Sequence, residues 1–217
     1  MIALVFALEY ESAALREPNR MCVSVWNLGL TGKRCLNVLE QHLKRSTPSL
    51  LVSAGFAGAI QPGFPVGALI IGENLSCSRT LRTVRDVAGF TFGEIATVES
   101  IAGTSREKRA LGESSRAISV DCESKHIRNM CDLHGVPMLA VRSISDTVDQ
   151  DLPVPAGILI SNATGKPDPF RLFKYVLSHP SSVSGLCDLI RTSRVAQKSL
   201  AGGLSAIMPR LLKTSAT

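Results

Sequence analysis

The chain has 217 residues, of which 45% are hydrophobic and 19% are charged. This composition is typical of a globular protein with a full hydrophobic core, and it excludes a disordered or fibrous chain. The formal net charge is +6, but the basic residues are dispersed, only 5% of residues are aromatic, and no nucleic-acid-binding motif is present. We therefore disfavour nucleic acid as a partner.

The apolar stretch over residues 2–8 is the first predicted strand. It reaches Glu9 before it attains the length of a signal or membrane-spanning segment, and no basic leader precedes it. We therefore expect a cytoplasmic protein. The six cysteines form no CxxC pair, which favours reduced core thiols over a zinc or redox site. No metal or other resident cofactor is predicted.

Short apolar runs of strand length recur along the chain, and segments with helical periodicity lie between them. The hydrophobicity of the runs is continuous rather than alternating, which is typical of strands covered on both faces. The predicted strands cover residues 2–8, 22–26, 50–54, 68–72, 117–120 and 137–141, and the predicted helices cover residues 11–16, 33–44, 105–112 and 123–134.

This alternation predicts an α/β fold, a three-layer α/β/α sandwich with a central mixed, largely parallel sheet. Ligands of such folds bind at the carboxyl ends of the strands. After Asp151 the sequence becomes rich in proline and glycine, and helices are predicted over residues 170–177 and 183–200, followed by a weaker tail. We expect a single domain over residues 1–217, in which residues 168–217 form a helical C-terminal extension.

Polar clusters follow several predicted strands at this edge. Glu9 and Glu11 come after the first strand, although acids in the first turn of a helix need no further role. The glycine turn over residues 29–33 is a weak signal for phosphate, since a tight turn explains it equally. The glycine-rich segment over residues 53–67 indicates that the backbone comes close to another strand or to a ligand.

Two further clusters carry carboxylates. Asp121 and Glu123 follow the strand over residues 117–120, where a helix cap and a first-turn acid are an adequate alternative. Ser145 and Asp146 follow the apolar run over residues 137–141. An aspartate that is partly desolvated there can donate a proton near neutral pH, and a cap or loop role is the equal alternative. Asp149 and Asp151 are interpreted as solvated loop carboxylates.

Four segments, taken in this order, resemble motifs of the purine nucleoside phosphorylase and methylthioadenosine/adenosylhomocysteine nucleosidase superfamily. They look like its N-terminal acidic turn, glycine-rich ribose loop, Met-Glu ribose motif and catalytic Ser-Asp motif. The segments are FALEYESAAL (6–15), SAGFAGAIQPGFPVGALII (53–71), ISVDCESKHI (118–127) and GVPMLAVRSISDTVDQ (135–150). The C-terminal sequence is similar to the hopanoid-associated branch, which is linked to removal of adenine from an adenosylated hopane lipid precursor.

The resemblance implies cleavage of the N-glycosidic bond of an adenosine-type purine nucleoside. Asp146 matches the acid that protonates the leaving base, and Ser145 would orient its carboxyl. Glu11 matches the glutamate that activates water in the nucleosidases, and Glu123 matches the ribose-binding glutamate. The other substrate-binding residues that the resemblance implies are Gly55, Phe56, Ala57, Ile101, Ala102 and Cys122, of which Ile101 and Ala102 would frame the adenine.

The sequence departs from the family pattern at three positions within these motifs. Cys122 stands where the family has methionine, which exchanges one soft apolar group for another. Phe56 replaces a small or hydroxylated residue where the nucleophile or phosphate binds. Ser53 replaces the arginine with which many phosphorylases grip phosphate, and a hydroxyl cannot supply that bidentate grip. Hydrolysis is therefore favoured over phosphorolysis.

Two alternatives to hydrolysis remain open. Arg16, Lys33 or Arg142 could supply a substitute cation, so phosphate stays a possible co-substrate for phosphorolysis of an adenosylated, hopane-like substrate. Phe56 and the segment over residues 67–120, which is short for the family, could instead leave a catalytically weak nucleoside-binding protein. We also expect a homo-oligomer, most simply a dimer.

The predicted helix over residues 183–200 is basic and amphipathic. It could rest on an anionic membrane surface as a peripheral contact. A solvated face over a packed core is the favoured alternative.

Overall fold

A computed structural model of the protein describes residues 1–15, 22–29, 32–159 and 169–215. Arg16, two positions of the glycine turn over residues 29–33, and residues 160–168 of the proline- and glycine-rich loop lie outside the described residues. The strands are β1 (Ile2–Phe6), β2 (Val23–Asn27), β3 (Leu50–Ala59), β4 (Leu69–Gly72), β5 (Phe90–Thr97), β6 (Ala117–Asp121) and β7 (Met138–Asp146). The helices are α1 (Glu9–Ser12), α2 (Cys35–Arg45), α3 (Ser78–Val84), α4 (Ser105–Ser114), α5 (Ser124–Leu133), α6 (Ala156–Leu159), α7 (Pro169–Ser178) and α8 (Ser182–Ser215), and a short 3₁₀ turn (Gly32–Arg34) precedes α2.

The seven described strands form one mixed sheet in the order β2-β1-β3-β6-β5-β4-β7. Five of the pairings are parallel, and only β3–β6 and β4–β7 are antiparallel. This confirms the predicted mixed, largely parallel sheet. Because β7 also pairs with β3, the strands β3, β6, β5, β4 and β7 close into a ring from which β1 and β2 extend. No pattern in the sequence predicted this closure.

Helices cover both faces of the sheet, as the continuous hydrophobicity of the strands predicted. Along β1, Ala3 and Val5 pack in one core cluster with residues of α2 and α5. Ile2, Leu4 and Phe6 pack in a second cluster with residues of α3 and α8. Since alternate residues of a strand point to opposite faces, each face of β1 is buried under its own helical layer. The predicted α/β/α layering is confirmed.

The C-terminal tail is longer and more regular than predicted. Helix α8 runs without a break for 34 residues and contains Pro209. Glycine and proline lower helix propensity, which is why residues beyond 200 were predicted as a weaker tail. Burial of Leu204, Ile207 and Leu211 against the sheet offsets that weakness. Gly203 allows this approach, because a Cβ atom there would lie 2.6 Å from a methyl of Leu69 on β4.

Candidate active site

A cleft of about 680 Å³ opens at the carboxyl ends of β1, β6 and β7. The segments after β1 and β5 line it, as do the middle of β3, the 3₁₀ turn before α2, and two residues of α8. Nine of the ten predicted site residues lie on its walls, and the remaining one, Gly55, lines a small adjoining cavity. The nine are Glu11, Phe56, Ala57, Ile101, Ala102, Cys122, Glu123, Ser145 and Asp146. Their roles stay predictions, but the fold brings them together.

Glu11 is a fixed and buried carboxylate at the first turn of α1, whereas the neighbouring Glu9 is exposed. Its Oε2 accepts a hydrogen bond of 2.9 Å from the backbone N of Leu8, and its Oε1 accepts one of 3.0 Å from the backbone N of Phe56. Burial raises the pKa of Glu11, and these hydrogen bonds and the charge of Arg142 oppose the rise. Glu11 therefore caps its helix and also reaches β3 inside the cleft.

The close approach of Glu11 requires a glycine on β3. A Cβ atom at Gly55 would lie 2.8 Å from Glu11 Oε1, which is shorter than any ordinary carbon–oxygen contact. The glycine-rich segment was predicted to bring the backbone close to another strand or to a ligand. At Gly55 the backbone instead comes close to the side chain of Glu11, a candidate catalytic residue.

A second cavity lies beside Glu11. It has a volume of about 10 Å³, and its walls include Glu11, Glu123 and Arg142. That volume is about the minimum that holds one water molecule, and the two carboxylates are polar groups among walls that also include the apolar side chains of Phe56 and Ile127. Glu123 itself is the N-cap residue of α5, two residues after the end of β6. This cavity is a suitable place for a bound water next to a carboxylate.

Arg142 is buried in a network beneath this cavity and has all five of its N–H donors engaged. Its Nε donates to Asp121 Oδ2 at 2.7 Å, and its Nη1 donates to the carbonyls of Ser53 and Val141, both at 2.8 Å. Its Nη2 donates to the hydroxyls of Ser53 at 3.0 Å and Ser124 at 2.6 Å. Arg142 therefore has no N–H left with which to grip a phosphate. Strand β7 continues to Asp146, beyond the predicted end at residue 141, because its backbone pairs with β3 along this stretch.

Asp146 ends β7 at the wall of the cleft, and its side chain is 15% exposed. Its Oδ1 accepts a hydrogen bond of 2.6 Å from the hydroxyl of Ser145, as the resemblance implied for the orienting serine. Its Oδ2 forms an ion pair with the Nζ of Lys108, a fully buried residue of α4. A Cβ atom at Gly58 would lie 3.0 Å from this Oδ2, so β3 is close to the second carboxyl as well.

The two acids after Asp146 are loop carboxylates, in agreement with the prediction. Asp149 is exposed and pairs with Arg109 at 2.5 Å. Asp151 is also exposed, and its Oδ1 accepts a hydrogen bond of 2.6 Å from the backbone N of Ser105 at the start of α4.

The remaining predicted residues form apolar walls. The side chains of Ile101 and Ala102, in the loop before α4, are partly buried. Burial raises the pKa of the Cys122 thiol, so this residue is a neutral, apolar group rather than a thiolate nucleophile. The ring of Phe56 packs edge-on against Tyr10, with 6.3 Å between the ring centroids.

Several residues of the site were not predicted from the sequence. Lys108, Leu152, and Leu189 and Ser193 of α8 come from segments without a motif. Lys33 and Arg34 lie at the cleft wall, where Lys33 pairs with Glu99 at 2.8 Å and both side chains are largely exposed. Among the described residues, no group of three or more His, Cys, Asp or Glu side chains could hold a metal ion.

The basic helix over residues 183–200 lies within α8. Leu200 is buried in the core, whereas Ile190 and Val195 are about half exposed. No helix in the described part of the chain is long and apolar enough to cross a membrane. Peripheral membrane contact stays a prediction.

Neither a protein-family model nor a curated protein matches the sequence. Solved structures do match. Futalosine hydrolase from Helicobacter pylori is 12% identical, with a TM-score of 0.69 over 96% of this chain and 97% of that chain. The 5′-methylthioadenosine/S-adenosylhomocysteine nucleosidase of H. pylori, also 12% identical, gives a TM-score of 0.69 over 96% and 97% of the two chains. The nucleosidase of the same description from Streptococcus pneumoniae, solved with a transition-state inhibitor, is 15% identical and gives 0.61 over 95% and 99%. At these identities the likeness establishes the fold, and the chain has the nucleoside phosphorylase-like fold that its motifs predicted.

Proposed function

We propose that this protein is a purine nucleosidase, which hydrolyses the N-glycosidic bond of an adenosine-type nucleoside and releases the base. The observation that carries the proposal is the arrangement of two carboxyls in one cleft. Asp146 stands on one wall, and Glu11 stands at a water-sized cavity that it shares with Glu123 and Arg142. The similar solved structures are those of nucleosidases and a hydrolase, which supports the same chemistry.

On the base side, the reaction needs an acid. Cleavage of the bond between C1′ and N9 leaves an electron pair on the purine, and protonation at N7 makes the base a better leaving group. A positioned acid contributes typically about 10²–10⁴-fold to such a step. In the free protein Asp146 is paired as a carboxylate with Lys108, so it fills this role after it has taken up a proton, and the hydroxyl of Ser145 holds the orientation of its carboxyl.

On the sugar side, positive charge develops at the ribose as the base departs. Glu123 accepts hydrogen bonds from the ribose hydroxyls and stabilises this charge. Glu11 takes a proton from the water that attacks C1′, so that one proton enters the base from Asp146 and one leaves the water to Glu11. The products are the free purine and free ribose, and both carboxyls return to their starting states by exchange with solvent.

Water is favoured over phosphate as the acceptor because the phosphate-binding groups are already engaged. The backbone N of Phe56, which belongs to the glycine-rich segment, donates to Glu11. The hydroxyl of Ser53 is buried and accepts from Arg142, whose own donors are all used. Lys33 pairs with Glu99. Phosphorolysis with phosphate as co-substrate, and binding without turnover, are the outcomes against which the proposal is tested.

The test is release of free adenine from adenosine-type nucleosides by the purified protein. We expect free ribose as the second product, at a rate independent of added phosphate. Formation of ribose 1-phosphate would instead identify a phosphorylase. Binding of the nucleoside without any product would identify a binding protein.

The residue assignment is tested by a matched pair of variants. Asp146→Asn removes the acid, and we expect the rate of adenine release to fall by about 10²-fold or more. Asp149→Asn alters an exposed carboxylate three residues further along and should leave the rate unchanged. Undiminished release by Asp146→Asn would remove this residue from the acid role.

The proposal requires no resident cofactor, and the partner is a small-molecule purine nucleoside. The substituent on the 5′ carbon stays a prediction, including the adenosylated hopane-like compound. A homodimer also stays a prediction, and light scattering after size-exclusion chromatography measures it directly.

A further inference from the structure

Lys108 is the most deeply buried charged side chain of the described chain that touches a residue of the proposed mechanism. Its side chain is 0% exposed, and its Nζ contacts Asp146 Oδ2. The same Nζ donates to the carbonyls of Thr147 at 3.0 Å and Gln150 at 2.7 Å. An ammonium group has three donors, and here each of the three has an acceptor. The cation is therefore held in one place before any substrate binds.

This arrangement is costly unless it has a compensating role. Burying an ammonium group removes its hydration, and an ion pair only partly offsets that loss. The neighbouring pair between Arg109 and Asp149 joins the same helix to the same loop, and it remains exposed. Anchoring the loop after β7 to α4 therefore does not by itself require a buried lysine.

We propose that Lys108 is a positioning residue for the acid, an inference that rests on the proposed function. It is not among the described residues that line the cleft, so it acts through Asp146. It holds one carboxyl oxygen of Asp146 while Ser145 holds the other. It also stabilises the carboxylate that Asp146 becomes when it gives its proton to the base.

The step itself shows why such a cation helps the transition state more than the ground state. The proton moves from the Asp146 carboxyl to N7, the bond between C1′ and N9 breaks, and its electron pair stays with the purine. The transfer returns Asp146 from the protonated acid to the carboxylate, and this re-forms the ion pair with a cation that is already in place. An interaction that strengthens as charge develops lowers the barrier without tightening substrate binding.

The first experiment compares Lys108→Met with Arg109→Met. For adenine release we expect Lys108→Met to lower kcat by about 10²-fold with KM changed by less than about threefold, because the lost interaction is made in the transition state. Arg109→Met should leave both constants unchanged. If Lys108→Met does not fold, Lys108→Gln serves instead, since its shorter side chain keeps an amide N–H donor near the two carbonyls and removes the charge.

The second experiment uses a substrate that needs no acid. In para-nitrophenyl ribofuranoside the leaving group departs as a stable phenolate, so loss of acid assistance has little effect. We expect the Lys108 variant to retain wild-type activity on this compound while losing adenine release. A general disturbance of the structure would lower both activities together, and that result would overturn the proposal.

The third experiment repeats Lys108→Met in an Asp146→Asn background. With no carboxylate to hold, the second substitution should lower kcat no further. An additional loss as large as that seen in the wild-type background would overturn the role assigned to Lys108. If the wild-type protein releases no adenine from any adenosine-type nucleoside, the proposed function fails, whereas the other adverse outcomes contradict only the inference about Lys108.

Discussion

The substitution Gly55→Ala tests whether the contact between β3 and Glu11 places the base that activates water. The added methyl would lie 2.8 Å from Glu11 Oε1 and 3.3 Å from its carboxyl carbon. Because the backbone N atoms of Leu8 and Phe56 hold this carboxyl at both oxygens, it cannot move aside without losing a hydrogen bond. We expect Glu11 to swing away from the water-sized cavity.

The expected magnitudes differ for stability and for activity. Overpacking costs about 1–3 kcal/mol and a lost hydrogen bond about 0.5–1.5 kcal/mol, while replacing glycine by alanine returns about 0.4–1 kcal/mol through the unfolded chain. The free energy of unfolding should therefore fall by roughly 0.5–4 kcal/mol, which leaves most of the protein folded. A displacement of the base by about 1 Å is enough to lower kcat by about 10²-fold.

The assay pairs urea denaturation with adenine release, and Gly202→Ala is the control. At Gly202 a Cβ atom would meet nothing within 4 Å, so alanine should raise stability slightly and leave kcat unchanged. If Gly55→Ala is folded and releases adenine within about threefold of the wild-type rate, Glu11 does not need the position seen in the structure, and its role as the base is wrong.

Three further outcomes are expected. Burial raises the pKa of Glu11 above its ordinary value of 4.5, and Glu11 must be ionised to act as a base. As the pH is lowered, kcat/KM should therefore fall, and the midpoint of this fall should lie above pH 4.5. A midpoint at or below pH 4.5 would contradict the assignment. Arg142→Met should lower the free energy of unfolding by about 3–5 kcal/mol, because Asp121 would lose the cation that pairs with its buried carboxylate. Urea titrations measure this loss. A loss of less than about 1 kcal/mol would show that the fold does not need the ion pair. Within α8, Gly202→Ala should raise stability by about 0.5–1 kcal/mol, and Gly203→Ala should lower it by about 1–2 kcal/mol. The two differ because only the alanine methyl at position 203 would collide with β4. Equal effects of the two substitutions in thermal unfolding would contradict this close packing.

Strands with continuous apolar sequence were predictable because burial on both faces demands such a sequence. Strand β5 was missed because it lacks such a sequence. Only Ile95 of its eight residues is buried, and the other residues show no hydrophobic pattern. Helix α3, at Ser78–Val84, was also missed, because its sequence has two arginines and few apolar residues. The predicted end of β7 at residue 141 was too early because Arg142, the next residue, is charged. A charged residue is buried in a strand only when it has a partner, and the partner of Arg142 is Asp121 on another strand.

The candidate site was predictable to the extent that topology alone determines it. Glu11 and Asp146 follow β1 and β7, which both run parallel to β3, so their carboxyl ends could be grouped without coordinates. Glu123 follows β6, which is antiparallel to β3, and only its resemblance to the family motif grouped it with the other two. Lys108 could not be grouped with them, because a lysine between polar residues of an amphipathic helix is usually exposed. The contribution of Leu189 was likewise hidden, since nothing local shows that α8 reaches the cleft.

The two glycines of β3 explain how one strand serves both halves of the proposed reaction. Gly55 faces the carboxyl of Glu11 and Gly58 faces that of Asp146, three residues further along the strand. Between them the pairing of β3 with β7 shifts register, and β3 begins to pair with β6. Side chains at these two positions would push the carboxyls away from the cleft. The backbone of β3 therefore fixes the separation of the proposed base and the proposed acid, and a small change in this strand should affect catalysis more than folding.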